Sequence, residues 1–271
     1  MKRAAPQRGF SLLELLTAAA IFLILCGAAF GLLNVTQRSY QTESGVLSSF
    51  QEARLALDEI VRDVSIAGFP PSSQYSNFPT NSNQNYFAIA PLAWWPGYTS
   101  LNPCTIGGTC TTPNDFDLII ESNIDLEQDR ANNNEDVEWV RYQLPAGSTT
   151  LFRGVTPKNH WANPDGATQA SLVPFVQNVM NNATAAQIAQ LQTLYPSMFP
   201  GGAPTPIFHY VCDDPAGPAR CQDVPASNAP KNVREIEVTL IVQAPQLDPV
   251  TGNPRLVMLN GRGHRVNPKA P

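Results

Sequence analysis

Side chains able to do acid–base, nucleophilic or metal chemistry are few and scattered. The three histidines, His160, His209 and His264, lie far apart. No His-Glu-x-x-His pair, Gly-x-Ser-x-Gly elbow or phosphate-cradling glycine loop accompanies them. Each reads as a surface or strand histidine, and the chain is not expected to be an enzyme. The densest acidic run places Asp125, Glu127 and Asp129 at the first, third and fifth positions of a calcium-loop pattern, with Asp136 at the twelfth. Arg130 occupies the sixth position, where the sharp turn wants glycine, and no helix precedes the loop. Calcium, the one cofactor to weigh, therefore competes with a solvated acidic hairpin turn. Of the five cysteines, Cys26 sits in an apolar run, and Cys104, Cys110, Cys212 and Cys221 lie downstream. An even number in an exported domain favours disulfides. Local pairing of Cys104 with Cys110 and Cys212 with Cys221 is preferred, because each closes a short loop rich in Gly, Pro or Thr. Zinc is the rival, against which the spacings stand, since they lack short knuckle pairs.

One carboxylate stands apart from all of these. Glu14 lies inside the run from Phe10 to Leu33, where the only other ionisable side chain is the thiol of Cys26. A carboxylate there costs on the order of 2.5–3.5 kcal/mol on translocon scales, so it wants a cationic partner or a proton. Cutting the chain between Gly9 and Phe10 would free an α-amine four residues from Glu14. As a helix, the run reaches about 36 Å, enough for one bilayer crossing with some tilt. Lys2, Arg3 and Arg8 precede it, which puts the N-terminus on the cytoplasmic side and everything after Leu33 outside.

Gly9-Phe10-Ser11-Leu12-Leu13-Glu14 after a short basic leader resembles the cleavage and methylation signal of type IV prepilins and type II secretion pseudopilins. The resemblance implies cleavage after Gly9 by a membrane prepilin peptidase and N-methylation of Phe10. It also implies pairing of Glu14 with a neighbouring subunit's terminal amine during assembly. A secretory signal peptide would show a shorter apolar core and then a small-residue cleavage site. A lipoprotein reading at Cys26 lacks the small residue normally found just before the cysteine.

The elements that must position these groups follow from pattern. From Asn34 to Ala67 there is no proline, and Val46, Leu47, Phe50, Leu57, Ile60, Val61 and Val64 recur at helical intervals. Gln51, Glu52, Asp58, Glu59, Arg62 and Asp63 make the opposite, polar face, with Asp58 four before Arg62. The membrane helix thus continues outward, Phe10 to Ala67 spanning about 87 Å if fully helical, until Gly68-Phe69-Pro70-Pro71 ends it. Residues 70–114 are irregular and aromatic, with Tyr75, Phe78, Tyr86, Phe87, Trp94, Trp95 and Tyr98. They are expected to fill over a sheet edge, with a carbohydrate or partner surface as the alternative. Strands are expected at Phe116–Glu121, Val137–Leu144, Thr149–Arg153, Ile207–Cys212, Val233–Gln243 and Arg255–Val266. Residues 154–206 interrupt the series as an insertion carrying a helix at Thr184–Tyr195.

Charged residues make up only 14% of the chain, which has 25 prolines and 17 glycines, favouring a loop-rich, strand-bearing head over a helical bundle. Net charge is −5 and no basic patch stands out, so a nucleic-acid partner is not expected. The end of the long helix, the Val140-Arg141-Tyr142-Gln143-Leu144 strand and the closing hairpin look like PilW-type minor pilins and J-type pseudopilins. The expected fold is α+β and pilin-like. Its parts are a leader at 1–9, a membrane half of the helix at 10–33, an exterior half at 34–68, and a β-rich head at 69–271 with the insertion at about 154–206. The resemblance implies a structural subunit of a type IV pilus or related filament, perched first in the bacterial inner membrane with its head in the periplasm. Its implied partners are the prepilin peptidase, other pilins or pseudopilins and the inner-membrane assembly platform. A secretion pseudopilin, or an adhesin displayed on a filament, is the alternative.

Overall fold

The computed structural model describes residues 11–71, 87–125, 137–159, 162–248 and 251–266. Helix α1, Leu12–Ile66, is one unbroken element of 55 residues, about 82 Å long. Two antiparallel four-stranded sheets follow. The first orders β1 (Asp117–Ser122), β2 (Glu138–Gln143), β3 (Leu151–Pro157) and β4 (Val173–Val176) side by side. The second runs β6 (Ala219–Arg220), β5 (Phe208–Cys212), β7 (Val233–Leu247), β8 (Pro254–His264). Helices α2 (Pro164–Gln169) and α3 (Ala185–Leu194) lie between β3 and β5 in the chain. This is an α+β architecture with a long N-terminal helix packed on antiparallel sheets, as expected of a pilin-like fold.

Strand alternation explains the layering. Leu118, Ile120, Val140 and Tyr142 of the first sheet, and Ile236, Val238, Leu240 and Val242 of the second, share one core with Leu57, Ile60 and Val64 of α1. Each apolar side chain fully buried there contributes roughly 1.5–3 kcal/mol. The alternate residues Ile119 and Trp139 face outward, under Trp94 and Tyr98. Ile241, on the outer face of β7, packs with Ile188, Leu191 and Phe199. Both sheets are therefore covered on two faces.

Several expectations change. Leu47, assigned to the packing face of α1, is 59% exposed, whereas Asp63, assigned to the polar face, is 2% exposed. The contact stripe uses small residues, Thr42, Ala53 and Ala56, which let the helix approach the sheet closely. Strand β4 falls inside the stretch expected as an insertion, and that stretch is built into the core. Met180 N–H donates to Ile241 O, Gln243 N–H to Asn178 O, and Asn181 accepts from Ile241 N–H while donating to Thr205 O and Thr239 O. It joins the two sheets because β4 ends one and the next four residues run along β7. The third strand extends to Pro157 and β7 to Leu247, beyond the alternation that marked them.

Candidate assembly site

The site begins where α1 begins. Ser11 caps the helix: its hydroxyl accepts from Glu14 N–H at 3.2 Å, and Glu14 Oε2 accepts from Ser11 N–H at 2.9 Å. This reciprocal box satisfies two first-turn donors and sets the carboxylate at the positive end of the helix dipole. In its own first turn Glu14 thus accepts a backbone N–H, which is neither the cation nor the proton that its place in an apolar run calls for. Gly9 and Phe10, the expected cleavage and methylation residues, lie outside the described residues. From Leu12 to Leu33 the apolar side chains, Leu13, Phe22, Ile24 and Phe30 among them, are exposed and untouched by the head. Among the described residues α1 is the one helix long and apolar enough to cross a membrane, and none of its most apolar window is buried.

The head takes hold of α1 from Thr42 onward. Strand β8 carries Gly261 and Gly263 against it, and a Cβ at Gly263 would stand 2.5 Å from Val64 Cγ1, one at Gly261 2.8 Å from Leu57 Cδ1. The absent side chains set the closeness of helix and strand. At the lower end of the contact, Arg255 at the start of β8 bonds Glu43 at 2.8 Å and Asp248 at 2.7 Å. At the upper end, Val266 N–H donates to Ser65 O, capping a terminal helix carbonyl.

A polar tether fixes α1 to the first sheet. Tyr142 Oη donates to Asp63 Oδ2, and Arg153 reaches Asp63 at 3.0 Å and Glu59 at 3.2 Å while donating from Nε to Tyr142 Oη. Burial, reinforced by the Asp63 charge, pushes the Tyr142 hydroxyl well above its ordinary range. The residues come from three elements and are remote in sequence, so spacing alone carried no signal for them.

Two buried ion pairs fasten the outer layer. Glu121 accepts from Tyr98 Oη, Trp139 Nε1 and Ile89 N–H, with Lys158 Nζ at 3.4 Å. Burial holds the Lys158 amine below its usual value, the Glu121 charge opposing. Arg141 donates from Nε and Nη2 to both oxygens of Asp117, and from Nη1 to Asp165 O and Thr168 Oγ1 of α2. Burial raises the Asp117 carboxyl despite Arg141. With every charge partnered, these pairs position the loop over the sheet. Trp94 and Tyr98 of that loop are buried against the sheet, 2% and 0% exposed, so neither is a surface for a ligand, while Tyr75, Phe78 and Tyr86 lie outside the described residues.

Both local disulfides are present, Cys104–Cys110 and Cys212–Cys221. Seven residues past the second loop, Asn228 clasps the first, accepting from Ile106 N–H and donating to Ile106 O. Cys26 remains a free thiol on α1. Asp125 is exposed just after β1, while Glu127, Asp129 and Asp136 lie outside the described residues, as does His160. Among the described residues no group of three metal-ligating side chains converges. His209 and Asp115 border a hollow of about 10 Å³ with Arg220, room for a single water at most, and His264 lies 3.7 Å from Glu235 at the surface.

Residues 5–30 match the family model of the prokaryotic N-terminal methylation motif. The chain carries a prepilin-type signal. From Leu12 to Phe30 that signal coincides with the exposed apolar half of α1. No curated protein and no solved structure matches the chain.

Proposed function

We propose that this chain is a structural minor-pilin-like subunit, cut after Gly9 by a prepilin peptidase, N-methylated at Phe10, and incorporated into a type IV pilus or related filament. The observation that carries the reading is the fusion of the methylation motif to a single helix that is apolar and bare below and docked into a head above. Before assembly the helix crosses the inner membrane, with the leader cytoplasmic and the head periplasmic. Its apolar half then moves from lipid into the helical centre of the filament, and Ala18, Ala19, Gly27, Ala28 and Gly31 allow close packing there. Because lipid and a helical core are equally apolar, hydrophobicity supplies little of the drive. Glu14, exchanging its own cap for a neighbour's terminal amine, supplies direction and register. A large head suits a priming or tip position better than a repeated shaft. The same signal suits a secretion pseudopilin. An adhesin displayed on the filament is the remaining alternative; of its aromatic segment Trp94 and Tyr98 are packed inside and Phe87 and Trp95 are half-buried. No residue is assigned a catalytic part.

Mass spectrometry of the N-terminal peptide from membrane and sheared-filament fractions tests the proposal. A peptide beginning at N-methylated Phe10 in the sheared fraction is the expected result, and the same peptide confined to membranes would favour a pseudopilin. An intact Met1 leader in cells with active peptidase would overturn the assignment.

A further inference from the structure

An ion pair on a protein surface is wet, and water keeps its ammonium and carboxylate charged and unreactive toward each other. The pair of Glu121 and Lys158 is dry. Both side chains are 0% exposed, with Nζ 3.4 Å from Oε2, and among the described residues neither makes a second ion pair. Their neighbours are Phe87, Ile89, Ala90 and Tyr98 of the covering segment and Trp139 of β2. None of these five is charged.

The two oxygens of Glu121 are held differently. Oε1 accepts from Tyr98 Oη and Trp139 Nε1, whereas Oε2 faces Lys158 Nζ and accepts from Ile89 N–H at 2.9 Å. Fixed donors on one oxygen are what an acyl group needs when its carbonyl takes on negative charge. The other oxygen stands beside the amine, where protons can pass to it. Phe87 O, accepting at 2.9 Å, anchors Nζ at that place.

Burial favours the neutral form of the pair. Taking an ammonium and a carboxylate out of water costs several kcal/mol per ion, and burial holds the Lys158 amine below its usual value. A proton passing from Nζ to Oε2 removes both charges and leaves an amine lone pair beside a carboxylic acid. Groups held in line for attack reach effective molarities of roughly 10⁵–10⁸ M.

We propose that Lys158 and Glu121 condense to an intramolecular amide, which joins β1 to the residue after β3 across the intervening β2. Nζ attacks Cδ, and the negative charge that develops falls on Oε1, held by Tyr98 and Trp139. Oε2 then leaves as water with two of the three ammonium hydrogens, and Nζ keeps the third. One C–N and two O–H bonds form while one C–O and two N–H bonds break. The step balances without an oxidant, a reductant or an activating group. With solvent shut out, the reverse hydrolysis lacks its reactant. Once joined, neither group titrates, and the covalent tie closes a span of 37 positions of chain.

The intact mass of the full-length chain, extracted in detergent, reduced and then denatured, is the test. Once the N-terminus is assigned, the expected mass is one water below that of the sequence. Fragmentation of a protease digest should show the Glu121 and Lys158 peptides joined after reduction has opened both disulfides. A succinimide at Asp165-Gly166 would lose one water too, but mild alkali reverses it and Lys158→Met would leave it in place. The amide survives alkali and is absent from Lys158→Met and from Glu121→Ala. A full mass in the wild-type chain, retained after prolonged incubation of the folded protein, would overturn the proposal. So would a missing water that maps to other residues or persists in Lys158→Met. The wild-type mass and the position of the cross-link decide the matter, so a variant that fails to fold does not rescue the proposal.

Discussion

Asp63 and Tyr142, 79 residues apart in the chain, meet at 2.7 Å where α1 crosses the first sheet, with the tyrosine hydroxyl donating to the carboxylate. Asp63 is also an acceptor for Arg153, so its removal would strip the buried Tyr142 hydroxyl of its acceptor and leave Arg153 with Glu59 as its one carboxylate among the described residues. Asp63→Ala is expected to destabilise the head by about 3 kcal/mol, whereas Tyr142→Phe should cost about 1 kcal/mol. Denaturant unfolding of the full chain in micelles measures both. An Asp63→Ala cost no larger than that of Tyr142→Phe would show that the tether does not hold the helix.

Gly263 offers a steric test of the same interface. Gly263→Ala places a methyl in contact with Val64 and is expected to cost about 1–3 kcal/mol through overpacking. Gly261→Ala should behave alike against Leu57. Adding Leu57→Ala to Gly261→Ala, which removes the Cγ and Cδ1 that the new methyl meets, should recover part of the loss, a non-additivity that a general strand defect would not give.

Alkaline pH should unfold the head. Burial raises the hydroxyls of Tyr98, Tyr142 and Tyr210 above their ordinary value near 10. The folded chain therefore keeps these protons where the unfolded chain would lose them. Their contribution is complete below pH 10 and declines as pH rises past it. Lys158, shifted down by burial, acts in the opposite sense below about 10.5, one proton against three. In a spectrophotometric titration these tyrosines should ionise only as the fold is lost. Smooth titration of all seven tyrosines near pH 10 with the fold retained would contradict the burial argument.

The disulfide loops should fail together. Replacing both Cys212 and Cys221 by serine is expected to cost about 2–3 kcal/mol from loop entropy. Through the Asn228 clasp on Ile106 it should also speed amide exchange in the Cys104–Cys110 loop. Unchanged exchange there would mean that the loops are independent.

Glu14 separates processing from assembly. Under the proposed function Glu14→Ala leaves leader cleavage intact and impairs incorporation, while a bulky residue in place of Gly9 blocks cleavage. Immunoblots of membrane and sheared fractions read both, and normal incorporation of Glu14→Ala would end the role assigned to its carboxylate.

What sequence alone determined about this protein is what short-range physics encodes. The motif around Glu14, the apolar run, the continuous helical pattern to Ala67, the alternating strands and the two short cysteine loops are each legible within a few turns of chain. Periodicity, capping and loop closure act at that range. Tertiary structure decided which polar groups are buried and which glycines matter. Asp63 counts as polar in any helical wheel, and only Tyr142 and Arg153, brought over by β2 and β3, make its burial tolerable. Glu121 and Lys158 likewise look like surface charges until the fold encloses them with Tyr98 and Trp139. Gly261 and Gly263 read as weak points in a strand until α1 lies across them. Residues 178–181 read as loop because their ladder partner is β7, some 60 residues away. In each case the deciding interaction joins residues distant in sequence, and its free energy exists only when the chain has brought them together.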